Sequence, residues 1–244
     1  MLRLTDAIKH LLIINVLFFV ASQMYQNEIY GLFSLWFPEH PNFQFWQIIT
    51  HMFMHASPEH IFFNMFTLWM FGSALELAWG KQKFLFFYFS AGIGAALVQT
   101  GVNYYQFNEG LNALVNAGVS EYDIINLMSE GKYSPGWYHV VKGSLVENMI
   151  GNYMGYLIGA SGATSGVMAA YGFMFAEREI RLLFFSVPLK AKYFIPLMFV
   201  GDLYYGLSGG GGNVAYFAHI GGALFGLFMV WYWKKNQFNN NRWN

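Results

Sequence analysis

From Asn148 to Ala176 the chain carries no Asp, Glu, Lys or Arg, yet the middle of that stretch is Gly159-Ala160-Ser161-Gly162-Ala163-Thr164-Ser165-Gly166, a run of small residues and hydroxyls. An uncharged segment of this length is what a bilayer-crossing helix requires. Its small centre has two readings. Small residues four apart let membrane helices approach closely, and Gly162-x-x-x-Gly166 has that spacing. Alternatively, Ser161 is a nucleophile whose flanking glycines admit a substrate backbone and leave amides free for an oxyanion. On this stretch alone packing is the weightier reading, because a nucleophile also needs a base.

Composition settles the solvent. The 244 residues are 56% hydrophobic and 20% aromatic, with only 11% charged, against about a quarter charged in soluble domains. This is the balance of a membrane protein. Formal net charge is zero and Lys and Arg nowhere cluster densely, which speaks against nucleic acid as a partner. Without cysteine the chain has no disulfide framework, thiolate nucleophile or Cys-ligated metal.

Hydropathy, broken at charges and Gly/Pro clusters, predicts six spans at about 7–26, 59–79, 83–104, 157–177, 191–207 and 214–233. The fifth is the shortest and contains Pro196 and Asp202. The first lacks a small-residue cleavage site after it and is read as a retained span. Of the 13 Lys and Arg, only Lys132 and Lys142 fall in the first, third or fifth loops. That is the positive-inside bias expected if both termini are cytoplasmic. The expected architecture is an all-α six-helix membrane bundle forming a single domain over 1–244, with a long outer loop at 105–156 and a short polar tail at 234–244.

The first outer loop is rich in Phe33, Trp36, Phe37, Phe43, Phe45 and Trp46, which suits the membrane interface. In the third, Leu111, Leu114, Val115 and Val119 fall near helical spacing. That leaves two readings, short amphipathic helices packed on the outer face or a poorly ordered linker. The fifth, uncharged from Leu203 to Phe217 and holding four consecutive glycines, is expected to act as a lid.

Ionisable and amide side chains inside a bilayer are functional candidates by default. His60 and Asn64 lie four apart on one face of the second span, near its outer end. His219 lies about one turn inside the sixth. Ala215, His219, Gly222 and Gly226 share one side of that helix, a small face able to pack closely against the fourth span. Such packing would bring His219 to Ser161, and an imidazole within reach of a serine is the minimum apparatus for acyl transfer. Each residue alone also has a structural explanation in interhelical hydrogen bonding. Together they read as one site.

At this point the sequence resembles the rhomboid family of intramembrane serine proteases. Gly159-Ala160-Ser161-Gly162 is similar to the family's nucleophile motif. Ala218-His219 with Gly221 and Gly222 is similar to its base motif, and His51 to His55 with His60 to Asn64 matches its second-span pattern. The resemblance implies a Ser161/His219 dyad without a third acid. It further implies an oxyanion hole of the Ser161 amide, His60 and Asn64, with His55 helping to hold the first outer loop and Gly159 and Gly162 in support. Two positions depart from the pattern. Trp46 is followed by Gln47 where many members have arginine. Ser165 stands where some members place an aromatic ring against the base, so support for His219 must come from elsewhere.

The expected activity is that of a hydrolase, cutting peptide bonds of membrane-anchored substrates in or next to their transmembrane segments, with no cofactor. The expected partners are transmembrane proteins and the lipid bilayer, and the expected location is the bacterial inner membrane. The fifth span and loop are expected to form the gate. A metal enzyme built on His51, His55 and His60 lacks a His-Glu-x-x-His run, and an aspartyl protease needs a second intramembrane carboxylate beside Asp202. The alternative that stands is a catalytically silent rhomboid-like protein that binds transmembrane helices without cutting them.

Overall fold

Helix signals written in the sequence are used where they occur. Ser57 accepts the His60 backbone N–H at 3.2 Å, with Pro58 in the first turn, starting the second long helix as an N-cap and N-terminal proline should. Gly80, at φ 82°, ends that helix and lets the next begin at Lys81, a left-handed conformation that favours glycine. The computed structural model describes residues 4–180, 188–208 and 214–236.

In chain order the elements begin with α1 (Asp6–Met24), α2 (Gln26–Phe33), β1 (Leu35–Trp36), α3 (Gln47–Thr50) and α4 (Pro58–Thr67). A π-helical turn at Leu68–Gly72 continues α4 into α5 (Ser73–Trp79), and α6 (Lys81–Asn116) follows. Then come α7 (Glu121–Ser129), α8 (Trp137–Val140), α9 (Gly143–Met154), β2 (Tyr156–Leu157) and α10 (Ser161–Met174). The chain closes with β3 (Glu179–Ile180), β4 (Leu189–Lys190), α11 (Ala191–Ser208) and α12 (Tyr216–Lys235). The protein is thus mostly helical, with two short antiparallel pairs, β1 with β2 and β3 with β4. Among the described residues, three helices, Asp6–Met24, Pro58–Trp79 and Lys81–Asn116, are long and apolar enough to cross a membrane by length and composition.

The expected segments need two corrections. The third does not stop near 104, because α6 runs on to Asn116, and Leu111 and Leu114 lie on that extension, not on a separate short helix. The fourth does not begin at 157, because residues 156 and 157 pair as β2 with β1, and helix starts at Ser161. Its 14 residues span about 21 Å at 1.5 Å per residue, less than the ~30 Å of a hydrocarbon core. Every residue from Gly162 to Tyr171 is buried, so α10 is the central helix and its start lies inside the protein.

The contact around which the bundle is built joins α10, α12 and α6. A Cβ on Gly222 would lie 1.9 Å from the Gly162 carbonyl oxygen, and one on Gly226 would lie 2.7 Å from that of Gly166. The expected small faces of α10 and α12 therefore meet backbone to backbone. The same two glycines of α10 also admit α6, since a Cβ on Gly162 would strike Ala95 at 2.4 Å and one on Gly166 would strike Ala91 at 2.6 Å. Among membrane helices such van der Waals packing is the main attraction available.

Residues 105–156 form packed helix, deciding between the two readings of the third loop. Phe107, Leu111, Leu114, Ile124, Met128 and Met149 are buried in one cluster, which Phe37 joins from the first loop. That loop is itself tied down by Gln47, which is fully buried. Its Oε1 accepts from the backbone N–H groups of Gln44 and Trp36, and its Nε2 donates to the carbonyls of Gly31, Leu32 and Asn42. A neutral amide thus organises the loop.

Basic side chains gather at the opposite end. Lys83 sits over the Trp233 ring and Lys234 over Phe173, while Glu177 bridges Lys190 at 2.8 Å and Lys192 at 2.5 Å. Arg3, Arg181 and Arg242, together with 209–213 of the expected lid and most of the polar tail, lie outside the described residues.

Candidate active site

Two strands and one hydrogen bond deliver the chain to Ser161. Leu35 and Trp36 pair with Leu157 and Tyr156, and the Gly159 N–H then donates to the His51 carbonyl at 2.9 Å. Gly159 has φ 116°, and a Cβ there would sit 2.8 Å from His60 Nε2. Both facts require glycine. Beyond it, Ser161 is the first residue of α10, so its amide belongs to the first turn, where a helix has no acceptor of its own. The positive end of the helix dipole points the same way.

One cavity of about 990 Å³ gathers Ser161, His219, His60 and Asn64 with Ser165 and Asp202 on its lining. The four residues expected from the sequence to act together are therefore brought together. Ser161 and His219 share this space without a hydrogen bond between them among the described contacts, a separation common in unliganded catalytic sites. Ser161 is partly exposed to the cavity and Ser165 only 3% exposed, which makes Ser161 the more accessible hydroxyl. Irregular backbone at 158–160 is tolerated at this depth because it lines a polar cavity.

His60 has a defined tautomer. Its Nδ1 accepts the Ala56 N–H at 3.2 Å, so the neutral ring carries its proton on Nε2, the nitrogen beside Gly159. That N–H is a donor turned toward the space next to Ser161. Asn64 is buried, with one Nδ2 proton on the His60 carbonyl at 2.9 Å and its Oδ1 accepting from Thr164 Oγ1 at 3.4 Å. An amide nitrogen has two protons, so one Nδ2–H remains for a ligand. Thr164 was not singled out from the sequence; its hydroxyl also lies 3.1 Å from the Ser161 carbonyl, and its single proton serves one of these two acceptors at a time.

His55 is fully buried and packs edge-on against His60, ring centroids 4.9 Å apart, while its own carbonyl accepts from Tyr30 Oη at 2.9 Å. It walls the His60 ring and is tied through its carbonyl to Tyr30 of α2. Burial, with His60 adding to it, pushes the His55 imidazole down to about 3, and burial likewise brings His51 to about 4. Both are neutral at physiological pH.

Two further contacts near His219 escaped the sequence reading, which noted Asp202 only as a lone acid and did not name Gln99. Gln99 Oε1 accepts the Ala218 N–H at 3.0 Å, and its Nε2 donates to Asn103 at 2.6 Å, fixing the first turn of α12 from α6. Asp202, on α11, places Oδ2 3.3 Å from His219 Nδ1. A lone carboxylate inside an apolar segment was the available signal for the second; nothing in the local pattern marked the first.

A fold of mostly apolar helices, whose central helix begins at a serine on a polar cavity that a histidine also lines, defines a membrane protein of the rhomboid type. The sequence model of the rhomboid domain matches residues 42–125 and 136–236, and the chain belongs to that family. It is 24% identical over 191 residues to the mitochondrial Rhomboid protein 1 of Saccharomyces cerevisiae, covering 77% of this chain and 42% of the relative. It is 27% identical over 206 residues to Rhomboid-like protease 3 of Toxoplasma gondii, covering 84% of this chain and 58% of the relative. The chain thus spans about half the length of these two relatives.

Proposed function

We propose that this protein is an intramembrane serine endopeptidase that hydrolyses peptide bonds in or next to the transmembrane segments of membrane-anchored proteins. The observation that carries the reading is the convergence of Ser161, His219 and the Nε2–H of His60 on one polar cavity, with Gly159 stripped of the Cβ that would separate them. In the reaction Ser161 Oγ bonds to the scissile carbonyl carbon while His219 takes the hydroxyl proton, and the carbonyl π pair moves onto oxygen. The Ser161 amide, His60 Nε2–H and the free Nδ2–H of Asn64 receive that oxyanion. His219 then returns the proton to the leaving amide nitrogen, and water hydrolyses the acyl-enzyme.

The reading includes a single domain of six spans with both termini cytoplasmic, supported by the clustering of basic side chains at the end away from the site. It also includes lateral entry and local unwinding of the substrate, because a helical peptide bond is hydrogen-bonded and shielded. The bacterial inner membrane is the proposed location. That placement rests on the resemblance alone, and one of the two relatives is named for the mitochondrion.

The test is labelling of purified protein with a fluorophosphonate probe. Labelling lost in Ser161→Ala and kept in Ser165→Ala supports the enzyme. No labelling of the folded wild type would instead favour a silent rhomboid-like protein that binds helices.

A further inference from the structure

We propose that Asp202 is a positioning residue for His219, giving the site a third member beside Ser161 and His219. The inference rests on the protease reading above. Its basis is the 3.3 Å approach of Asp202 Oδ2 to His219 Nδ1. Both side chains line the cavity that holds Ser161, and they are only 22% and 18% exposed. An imidazole presents two nitrogens, and a proton on Nδ1 bonded to a carboxylate leaves Nε2 with the lone pair a base needs.

Ser165 offers no aromatic face where some relatives have one, and Tyr216 meets His219 edge-on with centroids 6.5 Å apart. Gln99 fixes the backbone one residue earlier, through the Ala218 N–H. Asp202 therefore supplies both orientation and charge. When His219 takes the Ser161 proton on Nε2, the imidazolium keeps its Nδ1–H on the Asp202 carboxylate, and no proton passes to Asp202. When Nε2–H protonates the leaving nitrogen, the ring returns to the same tautomer.

The carboxylate is also well placed to do this from a neighbouring helix. Asp202 lies on α11 and His219 in the first turn of α12, so their spacing depends on the packing of two helices. A carboxylate used only as a latch between those helices would govern how a membrane substrate enters. One that orients the base would govern the chemistry of any acylating reagent, however small.

The experiment compares full-length wild type, Asp202→Asn and Asp202→Glu in detergent, reading membrane-substrate kcat and KM, the rate of fluorophosphonate labelling, and the His219 tautomer by 15N NMR of histidine-labelled protein. Asn is isosteric but able to offer an N–H to Nδ1, which moves the imidazole proton to Nε2. For Asp202→Asn we expect labelling and kcat to fall together by about 10–100-fold with KM little changed. This is less than the ~10⁴ of a fully buried triad carboxylate, because the pair here is partly exposed. The Nδ1–H signal of wild type should be lost in Asp202→Asn and retained in Asp202→Glu, whose rates should recover in part. Wild-type labelling rate and tautomer in a folded Asp202→Asn protein would overturn the inference while leaving the protease reading intact. A change in KM alone would make Asp202 a latch and overturn it equally. Labelling of wild type that survives Ser161→Ala would instead sink the protease reading, and this inference with it.

Discussion

Replacing Gly222 by alanine tests whether helix packing sets the chemistry. A Cβ at this position would fall 1.9 Å from the Gly162 carbonyl oxygen, where real Cβ contacts essentially never come below 3.0 Å. The helices must therefore part by at least about 1.1 Å, the difference of those two distances. The atom struck is backbone in the turn that begins with Ser161, so no side chain can swing aside to absorb the strain. Gly222 is three residues from His219 on α12, on the same face, so the displacement is passed to the imidazole with little loss. Overpacking of this kind costs about 1–3 kcal/mol of stability, and a 1 Å misplacement of a reacting group costs on the order of 10² in rate. We expect Gly222→Ala to remain folded in detergent with a lowered Tm, and its kcat on a membrane-anchored substrate to fall about 10²-fold. Gly101→Ala, on α6 with nothing within 4 Å of the new Cβ, should match wild type in kcat, with a Tm equal or slightly higher because alanine favours a helix interior. Wild-type kcat in a Gly222→Ala protein whose Tm has dropped would show that the α10–α12 contact does not position His219, and would refute the reasoning.

Three other outcomes are expected. Removing one oxyanion donor, by His60→Ala or Asn64→Ala, should lower kcat by ~10²–10³ and leave measurable activity, whereas Ser161→Ala should leave none; equal and complete loss in all three would point to misfolding and is checked by thermal unfolding. Glu76 is buried on α5 and accepts from Thr5 Oγ1 and from the Ala7 and Ile8 amides at 2.8 and 3.1 Å, capping α1. Glu76→Ala should cost about 3 kcal/mol, a Tm drop of roughly 6–12 °C for a chain of this size, and an unchanged Tm would contradict the cap. Finally, His51 and His55 are held below the ordinary 6.5, so the unfolded chain binds protons that the folded one does not. Their contribution is present above about 6.5 and lost as pH falls toward 4, and a Tm that stays flat from pH 7 to 4.5 would argue against it.

Much of the site was legible because burial in lipid makes polar residues conspicuous. His60, Asn64, Ser161 and His219 stand out against apolar neighbours, and the structure gathers all four on one cavity. Asp202 was equally conspicuous, but only as a lone acid, since its partner is 17 residues away across a loop. Gln47 was noticed as a departure. Its five backbone contacts follow from the fold of a loop, and no periodicity encodes them. Thr164 and Gln99 were lost among ordinary polar residues, because their importance lies wholly in the groups opposite them, 100 and 119 residues distant.

The sequence by itself determined a helical membrane protein, the approximate places of its long helices and the small faces on α10 and α12. These depend on transfer free energy and on residue spacing along one helix, both of which are local. Tertiary structure alone decided how each helix is rotated about its axis and which neighbour it meets. That rotation put α6 behind Gly162 and Gly166, started α10 at Ser161 inside the protein, set Glu76 under the first turn of α1 and brought Asp202 to His219. A helix face is fixed by its own residues, but its partner is chosen by packing among all the helices together, and no single stretch of chain contains that information.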